Sequence, residues 1–244
     1  MQAPPRRDVY PALVLLYNTI MEATRVIDIR ENTEKIMRSV PDGVLVVAAT
    51  KKRSAKEINE AIKSGITAVG ENYVQEAETK FKELQQGVKR HFIGHLQRNK
   101  INKALDIFDT IETVDRLSLA RAIDKSAGKK GIVFPVLVEV NSGREPQKSG
   151  VMPEDAEKLL QDIACLKNIK VEGLMTMGPL VDKAEDIRSF FRLTKELFDK
   201  LKDTKLPNIR MKYLSMGMSD TWRVAIEEGA NIVRIGTAIF GPRR

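Results

Sequence analysis

Three segments of the chain carry residues that could hold an anion and react with a carbonyl compound. Lys51 follows the apolar run VLVVAAT, and a lysine that is partly desolvated or close to other cations can lose its proton and form an imine with an aldehyde. The segments YLSMGMSD and RIGTAIFG supply glycines and hydroxyl groups. Backbone N–H groups at glycines can approach phosphate oxygens closely, so these segments predict a phosphate site, with ordinary turns as the alternative.

Arg234 stands inside the apolar run NIVRIG, where a strand would otherwise face a core. Burying a guanidinium without a partner is prohibitively costly, and a guanidinium can only donate hydrogen bonds. We therefore expect Arg234 to face a carboxylate, a carbonyl oxygen or a ring nitrogen with a free lone pair.

Eight apolar segments rich in β-branched residues alternate with segments that have apolar residues at helical spacing. The predicted strands are VLVVAAT (44–50), TAVGEN (67–72), HFIGHL (91–96), TIETV (110–114), VFPVLVEVN (133–141), VEGLMTM (171–177), KYLSMG (212–217) and NIVRIGTA (231–238). This alternation implies parallel strands joined by right-handed crossovers. It predicts an α/β fold, a single (β/α)8 TIM barrel, with an open doubly wound sheet as the alternative.

Residues 27–244 form one domain in this interpretation, because neither a shift in composition nor a flexible linker divides them. Few residues follow strand eight, so the helical segment at 27–40 is expected to cover the position of the last outer helix. Residues 1–26 are predicted to be a loosely attached extension. Its apolar stretch resembles a secretory signal only faintly, because Pro11, Tyr17 and Asn18 interrupt it.

The C-terminal ends of the strands bring the chemical groups together at one face of the predicted barrel. Such barrels have their active sites at this face and often bind phosphate with the loops after strands seven and eight. Those loops contain Ser215, Ser219, Gly236 and Thr237, and Lys51 follows strand one across the mouth. An imine-forming amine, a phosphate site and an arginine suited to a ring nitrogen together describe pyridoxal 5′-phosphate.

The composition, with 42% hydrophobic and 30% charged residues, is typical of a folded protein. A net charge of +8 is compatible with nucleic acid, but the basic residues are spread along the chain and aromatic residues are only 5%. We therefore expect neither nucleic acid nor, since no segment approaches the roughly 20 apolar residues of a membrane span, a membrane. The one cysteine, Cys165, excludes an internal disulfide, fits a cytoplasmic location and is expected to pack on a helix.

Seven segments resemble the YggS/PROSC family of pyridoxal phosphate homeostasis proteins. They are VAATKKRS, VGENYVQE, HFIGHLQRNK, NSGREPQKSG, EGLMTMG, LSMGMSD and VRIGTAIFG, and the resemblance runs from about residue 27 to the end of the chain. The family is similar to the barrel domain of alanine racemase, a fold-type III pyridoxal-phosphate-binding barrel, without that enzyme's C-terminal β domain.

The resemblance implies roles for individual residues. Lys51 would hold the cofactor as a Schiff base, Arg234 would face the pyridine nitrogen, and Asn72 would lie near the ring. The phosphate would be held by Ser215, Gly236 and Thr237. Lys52 also follows the strand, in surroundings that differ from the usual family pattern, and strand alternation is expected to direct it away from Lys51.

The resemblance implies a monomeric protein that takes part in pyridoxal phosphate homeostasis without catalysis, with apo-enzymes as possible partners. An arginine at the pyridine nitrogen disfavours ring protonation and weakens the electron sink. The alternative is an amino-acid racemase, which needs a second proton-transfer group, and Tyr73, Tyr213 and His95 are the candidates. No metal site is expected, because His91 and His95 would lie ~13 Å apart on a strand, with His91 at the bottom of the barrel.

Overall fold

Eight parallel strands close into a barrel in their order along the chain. The structure is a computed structural model that describes residues 27–242, so the predicted extension at 1–26 lies outside the described residues. The strands are β1 (Leu45–Ala49), β2 (Ala68–Glu71), β3 (Lys89–Phe92), β4 (Thr110–Val114), β5 (Phe134–Glu139), β6 (Ile169–Met175), β7 (Ile209–Ser215) and β8 (Ile232–Ile235). Because β8 pairs with β1, with Val46 opposite Val233, the predicted closed barrel is confirmed and the open sheet is excluded.

Helices surround the barrel and bury their apolar stripes against the strands. They are α1 (Ile29–Ser39), α2 (Ala55–Lys63), α3 (Val74–Lys80), α4 (Ile101–Ile107), α5 (Leu117–Lys129), α6 (Ala156–Ile163), α7 (Arg188–Lys202), α8 (Trp222–Glu227) and α9 (Thr237–Phe240). Short 3-10 turns lie at Phe81–Glu83, Arg98–Lys100, Pro153–Asp155 and Ala184–Ile187. In α7, for example, Phe191, Thr194, Phe198 and Leu201 lie at helical spacing and are buried.

Helix α1 closes the outer ring beside β8, which within the described residues is followed by the one-turn helix α9 alone. The amide Nδ2 of Asn32 donates to the carbonyl oxygen of Ile239 at 3.2 Å. Asp28 caps α1 by accepting a hydrogen bond from the backbone N–H of Glu31 at 2.8 Å, which satisfies one of the free donors of the first turn. The prediction that the segment at 27–40 covers this position is therefore confirmed.

Cys165 lies exposed in the turn after α6, so the predicted packing role is wrong. The helix ends at Ile163, and the apolar spacing that suggested a longer helix continues past its real end. The helices of the described residues include no candidate membrane-spanning segment.

Candidate functional site

Lys51 lies in a tight turn directly after β1. The backbone N–H of Arg53 donates to the carbonyl oxygen of Thr50 at 3.0 Å, and Lys52 has a left-handed φ of 60°. Helix α2 then starts at once, because Ser54 and Glu57 form a reciprocal capping box. The turn is therefore short and fixed at both ends.

The turn, rather than strand alternation, separates the two lysines. β1 ends at Ala49, before both lysines, so the prediction that strand alternation separates Lys51 from Lys52 is wrong. The backbone N–H of Lys52 donates to Oε2 of Glu76 at 3.0 Å and the residue is exposed, whereas Lys51 is half-buried. Lys51 Nζ lies 4.8 Å from the centre of the Tyr73 ring, within reach of a cation–π contact.

A buried carboxylate joins the ends of β1 and β2. Glu71 is fully buried and accepts hydrogen bonds from Thr50 Oγ1 at 3.1 Å, from the backbone N–H of Asn72 at 2.9 Å and from Lys80 Nζ at 2.5 Å. Lys80 Nζ also donates to the carbonyl oxygen of Thr50 at 2.9 Å. The residue before Lys51 and the backbone of Asn72 are thus fixed by one charged cluster.

Three predicted site residues lie together at the C-terminal ends of neighbouring strands. Lys51 follows β1, Asn72 follows β2 and Gly236 follows β8, and β1 pairs with both of the other strands. A Cβ atom on Gly236 would lie 3.3 Å from the carbonyl oxygen of Ala49, so a larger residue would crowd the base of the Lys51 turn. Thr237 is exposed and begins α9.

Ser219 lies against two backbone donors at the start of α9. Its Oγ accepts hydrogen bonds from the backbone N–H groups of Gly236 and Ala238, both at 3.2 Å. Two backbone donors that converge on one oxygen are suited to an anion. The sequence placed Ser219 in this loop but favoured Ser215, and the structure places Ser219, not Ser215, against these amides.

Arg234 and Ser215 lie deeper, in a buried polar network inside the barrel. Arg234 Nη1 donates to Ser215 Oγ at 2.6 Å, and Nη2 donates to the carbonyl oxygen of Thr176 at 2.8 Å. Ser215 Oγ in turn donates to Oε2 of Glu112 at 2.6 Å, and Oε1 of Glu112 lies 2.6 Å from Nδ1 of His91. The expected carboxylate and carbonyl partners of Arg234 are present, but the Ser215 hydroxyl is already engaged, so its contact with phosphate stays a prediction.

Burial and neighbouring charges set the pKa values of this network. Burial alone raises the pKa of Glu112, but the hydrogen bond and charge of His91, with Arg234 and Ser215, hold that pKa below its usual value. Burial lowers the pKa of Arg234, and the carboxylates of Glu112 and Glu139 oppose this effect. The charges of the network therefore stabilise one another.

A cavity of about 490 Å³ opens at the mouth of the barrel. Asn72, Glu139 and Met177 are part of its wall, and the sulfur of Met177 lies 3.5 Å from Arg234 Nη2. Lys51 and Gly236 are not part of the wall, so the predicted phosphate end lies beside this cavity. Burial, with the charge of Asp115 adding to it and Arg234 opposing it, raises the pKa of Glu139 to about 7.

The three candidate proton-transfer groups lie in different places. Tyr73 is next to Lys51, and His95 lines the mouth cavity with Nδ1 3.3 Å from Ser149 Oγ. Tyr213 instead lines a cavity at the N-terminal end of the barrel, because it precedes Ser215 by two residues on β7 and points to the lower layer. Tyr213 is therefore wrong as a candidate for the mouth.

His91 on β3 and His95 in the following loop line different cavities. His91 also lines the cavity at the N-terminal end, as expected, whereas His95 lies at the mouth. Within residues 27–242, no group of three His, Cys, Asp or Glu side chains is arranged to hold a metal ion.

Comparisons with known proteins agree with this geometry. The profile of the family described as alanine racemase, N-terminal domain, matches residues 26–244. A pyridoxal phosphate homeostasis protein of Aquifex aeolicus is 43% identical over 200 residues, which cover 82% of this chain and 87% of that protein. The chain belongs to the family of pyridoxal phosphate homeostasis proteins. The family member from Escherichia coli K12 is 36% identical over 83% of this chain and 87% of its own length.

Solved structures share this barrel. PipY of Synechococcus elongatus, solved with pyridoxal phosphate bound, has a TM-score of 0.81 and 34% identity and covers 88% of this chain and 100% of its own. An alanine racemase of Clostridium difficile has a TM-score of 0.72 and 20% identity, over 88% of this chain and 59% of the racemase. The likeness to the racemase shows a shared fold alone.

Proposed function

We propose that the protein binds pyridoxal 5′-phosphate and serves in the homeostasis of this cofactor. The proposal depends mainly on the placement of the Lys51 turn next to the donor cluster of Gly236, Ala238 and Ser219, across the paired strands β1 and β8. The names of the relatives and the cofactor bound to PipY support the same function.

The donor set fits the cofactor at each of its functional groups. The Lys51 amine suits the aldehyde, with which it forms a Schiff base in this proposal. The backbone donors at Gly236 and Ala238, with the hydroxyl groups of Ser219 and Thr237, suit the phosphate. The bound cofactor supplies an electrophilic aldehyde and an electron-accepting ring.

The remaining predicted residues complete the site in this proposal. Arg234 faces the pyridine nitrogen, Asn72 contacts the ring from the cavity wall, and Ser215 contributes through its hydrogen bond to Arg234. Arg234 is itself ion-paired with Glu112 at 3.9 Å and stays charged. A cation cannot stabilise a protonated pyridine nitrogen as a carboxylate does, so Arg234 does not support strong electron-sink chemistry.

We further propose that the protein is monomeric, cytoplasmic and without turnover of its own, and that apo-enzymes are its partners. The half-exposed Tyr73 and the open mouth cavity would let a partner reach the cofactor. An amino-acid racemase is the less favoured alternative, since the relatives of high identity are named homeostasis proteins.

The test is to reduce the cofactor-loaded protein with borohydride and map the modified peptide by mass spectrometry. We expect an absorbance band near ~420 nm that survives dialysis and a pyridoxyl group on Lys51. Lys51→Ala should lose the band, while the matched control Lys52→Ala should keep it. A wild-type adduct at another residue, or none, would refute the assignment of Lys51, and amino-acid racemisation that is lost in Lys51→Ala would refute the non-catalytic role.

A further inference from the structure

A continuous line of hydrogen bonds crosses the barrel from its N-terminal end to Arg234. It begins at His91, which lines the cavity of about 590 Å³ at that end, and passes through Glu112 and Ser215. The four side chains come from β3, β4, β7 and β8, and all four are buried. In the proposed function Glu112 serves only as the charge partner of Arg234, and His91 has no role.

The chemistry of each group fixes the direction of these hydrogen bonds. An ionised carboxylate only accepts, so both His91 Nδ1 and Ser215 Oγ donate to Glu112. The Ser215 hydroxyl has one proton, which goes to Glu112, and its lone pair therefore accepts from Arg234 Nη1. Glu112 thus determines the orientation of the hydroxyl group against which Arg234 is held.

The same carboxylate offsets the charge of Arg234. Glu112 Oε2 lies 3.9 Å from Arg234 Nη1, and both side chains are almost fully shielded from solvent. Glu139 also acts on Arg234, but no direct hydrogen bond between these two is found among the described residues. Removing one partner of a buried ion pair is strongly destabilising, so Glu112 stabilises Arg234 inside the barrel, together with the carbonyl oxygen of Thr176.

We propose that Glu112, held by His91, is a positioning residue that orients Arg234 toward the cofactor ring through Ser215. The inference rests on the proposed function, because Arg234 is assigned there to the pyridine nitrogen. It deepens that function by extending the site about one barrel layer below the cofactor, to residues that do not touch it. A purely structural ion pair is the competing explanation.

The test uses the full-length protein loaded with pyridoxal phosphate that carries ¹⁵N in its ring. The ring-nitrogen chemical shift reports the contact with Arg234, which a purely structural role of Glu112 would not change. Glu112→Gln should move this shift toward the value in Arg234→Gln, and Glu112→Asp, which keeps the charge, should restore it in part. The matched control is Glu172→Gln, on the neighbouring part of the barrel floor but outside the chain of hydrogen bonds.

A second readout is the pH midpoint of the absorbance change of the bound cofactor. Glu112→Gln removes one negative charge below the site. It should lower this midpoint by on the order of one pH unit, because the protonated form of the bound cofactor is then less stabilised. Ser215→Ala keeps the charge of Glu112 but removes the hydroxyl group that connects Glu112 to Arg234. It should therefore change the nitrogen shift and have a smaller effect on the pH midpoint. It also replaces Glu112→Gln if that variant fails to fold.

The outcomes separate this inference from the proposed function. If the wild-type protein fails to bind the labelled cofactor, the proposed function is wrong. If the wild type binds and Glu112→Gln and Ser215→Ala both give the spectra of Glu172→Gln, the positioning role alone is refuted. A change in Glu112→Gln without any in Ser215→Ala would also refute it, since Glu112 would then act by charge and not through Ser215.

Discussion

Lys80 donates a hydrogen bond of 2.9 Å from its ammonium group to the carbonyl oxygen of Thr50, the residue before Lys51. The same ammonium group lies 2.5 Å from Oε2 of the buried Glu71. The contact joins α3 to the end of β1 across 30 residues of sequence. The Lys51 turn is therefore held by a tertiary ion pair as well as by its own backbone.

Lys80→Met should lower the free energy of unfolding by about 3–5 kcal/mol, because it leaves the Glu71 carboxylate buried and without its cation. Urea unfolding at neutral pH measures this change. The matched control is Lys103→Met, which removes the exposed pair with Glu78 and should have a much smaller effect on stability. Equal losses in the two variants would mean that the buried pair contributes no more than a surface pair.

Glu139 should make the protein less stable as the pH rises through about 7. Its pKa is near 4.5 when unfolded and is raised to about 7 in the fold by burial, then by Asp115, so the folded state holds the proton more tightly. The stabilisation is complete below pH 4.5 and is lost as the pH passes through about 7. Its full size is about 3 kcal/mol, because each tenfold difference in proton affinity between the folded and unfolded states corresponds to roughly 1.4 kcal/mol.

The measurement compares urea unfolding of wild type and Glu139→Gln between pH 4 and 8. The difference in unfolding free energy between the two proteins should change across this range, with Glu139→Gln relatively more stable at pH 8. Glu154→Gln, which changes an exposed carboxylate, controls for the general effect of charge removal. A constant difference between wild type and Glu139→Gln would show that Glu139 does not titrate in this window.

The barrel could be predicted from the sequence because its signals are local. Each strand is a short apolar run, and the stripe of α7 repeats at helical spacing, so the elements appear in the sequence in the order in which they pack. The strand ends then place Lys51, Asn72 and Gly236 at one face of the barrel. Strand bounds are less local, and β7 starts at Ile209, before its predicted start at residue 212.

The residues that hold the site residues in place, Glu112 and Lys80, were not predicted, because they meet their partners only in the closed barrel. Glu112 in TIETV is a charged residue in an apolar strand, which is the same signal that singled out Arg234 and could have identified this position. Lys80 carries no such signal, since a lysine at a helix end is ordinary. The choice between Ser215 and Ser219 depends on which hydroxyl faces the amides of α9, and spacing does not determine this.

Gly94→Ala should weaken cofactor binding about tenfold, because a methyl group there would overlap the backbone of Asn72. The backbone must then move, and Asn72 with it, at a cost in stability of about 1–3 kcal/mol. Titration with pyridoxal phosphate and urea unfolding measure the two effects. Gly131→Ala is the control, since its φ of +67° makes alanine costly to stability, but apart from its own chain neighbours no atom lies within 4 Å of the new methyl group.

If Gly94→Ala and Gly131→Ala weaken binding equally, the loss follows from lower stability and not from displacement of Asn72. If Gly94→Ala leaves binding unchanged, Asn72 is not a ligand contact.

Ser219→Ala should weaken the binding of pyridoxal 5′-phosphate about tenfold or more and leave the binding of pyridoxal, which lacks the phosphate, nearly unchanged. The hydroxyl group lies against the backbone donors of Gly236 and Ala238, and a hydrogen bond to a charged group contributes about 1.5–3 kcal/mol. Fluorescence titration with each ligand gives the ratio of the two dissociation constants. Ser215→Ala is the comparison, since its hydroxyl is shared between Glu112 and Arg234, and its loss should affect both ligands alike. A phosphate-selective loss in Ser215→Ala alone would instead show that the first serine of LSMGMSD holds the phosphate.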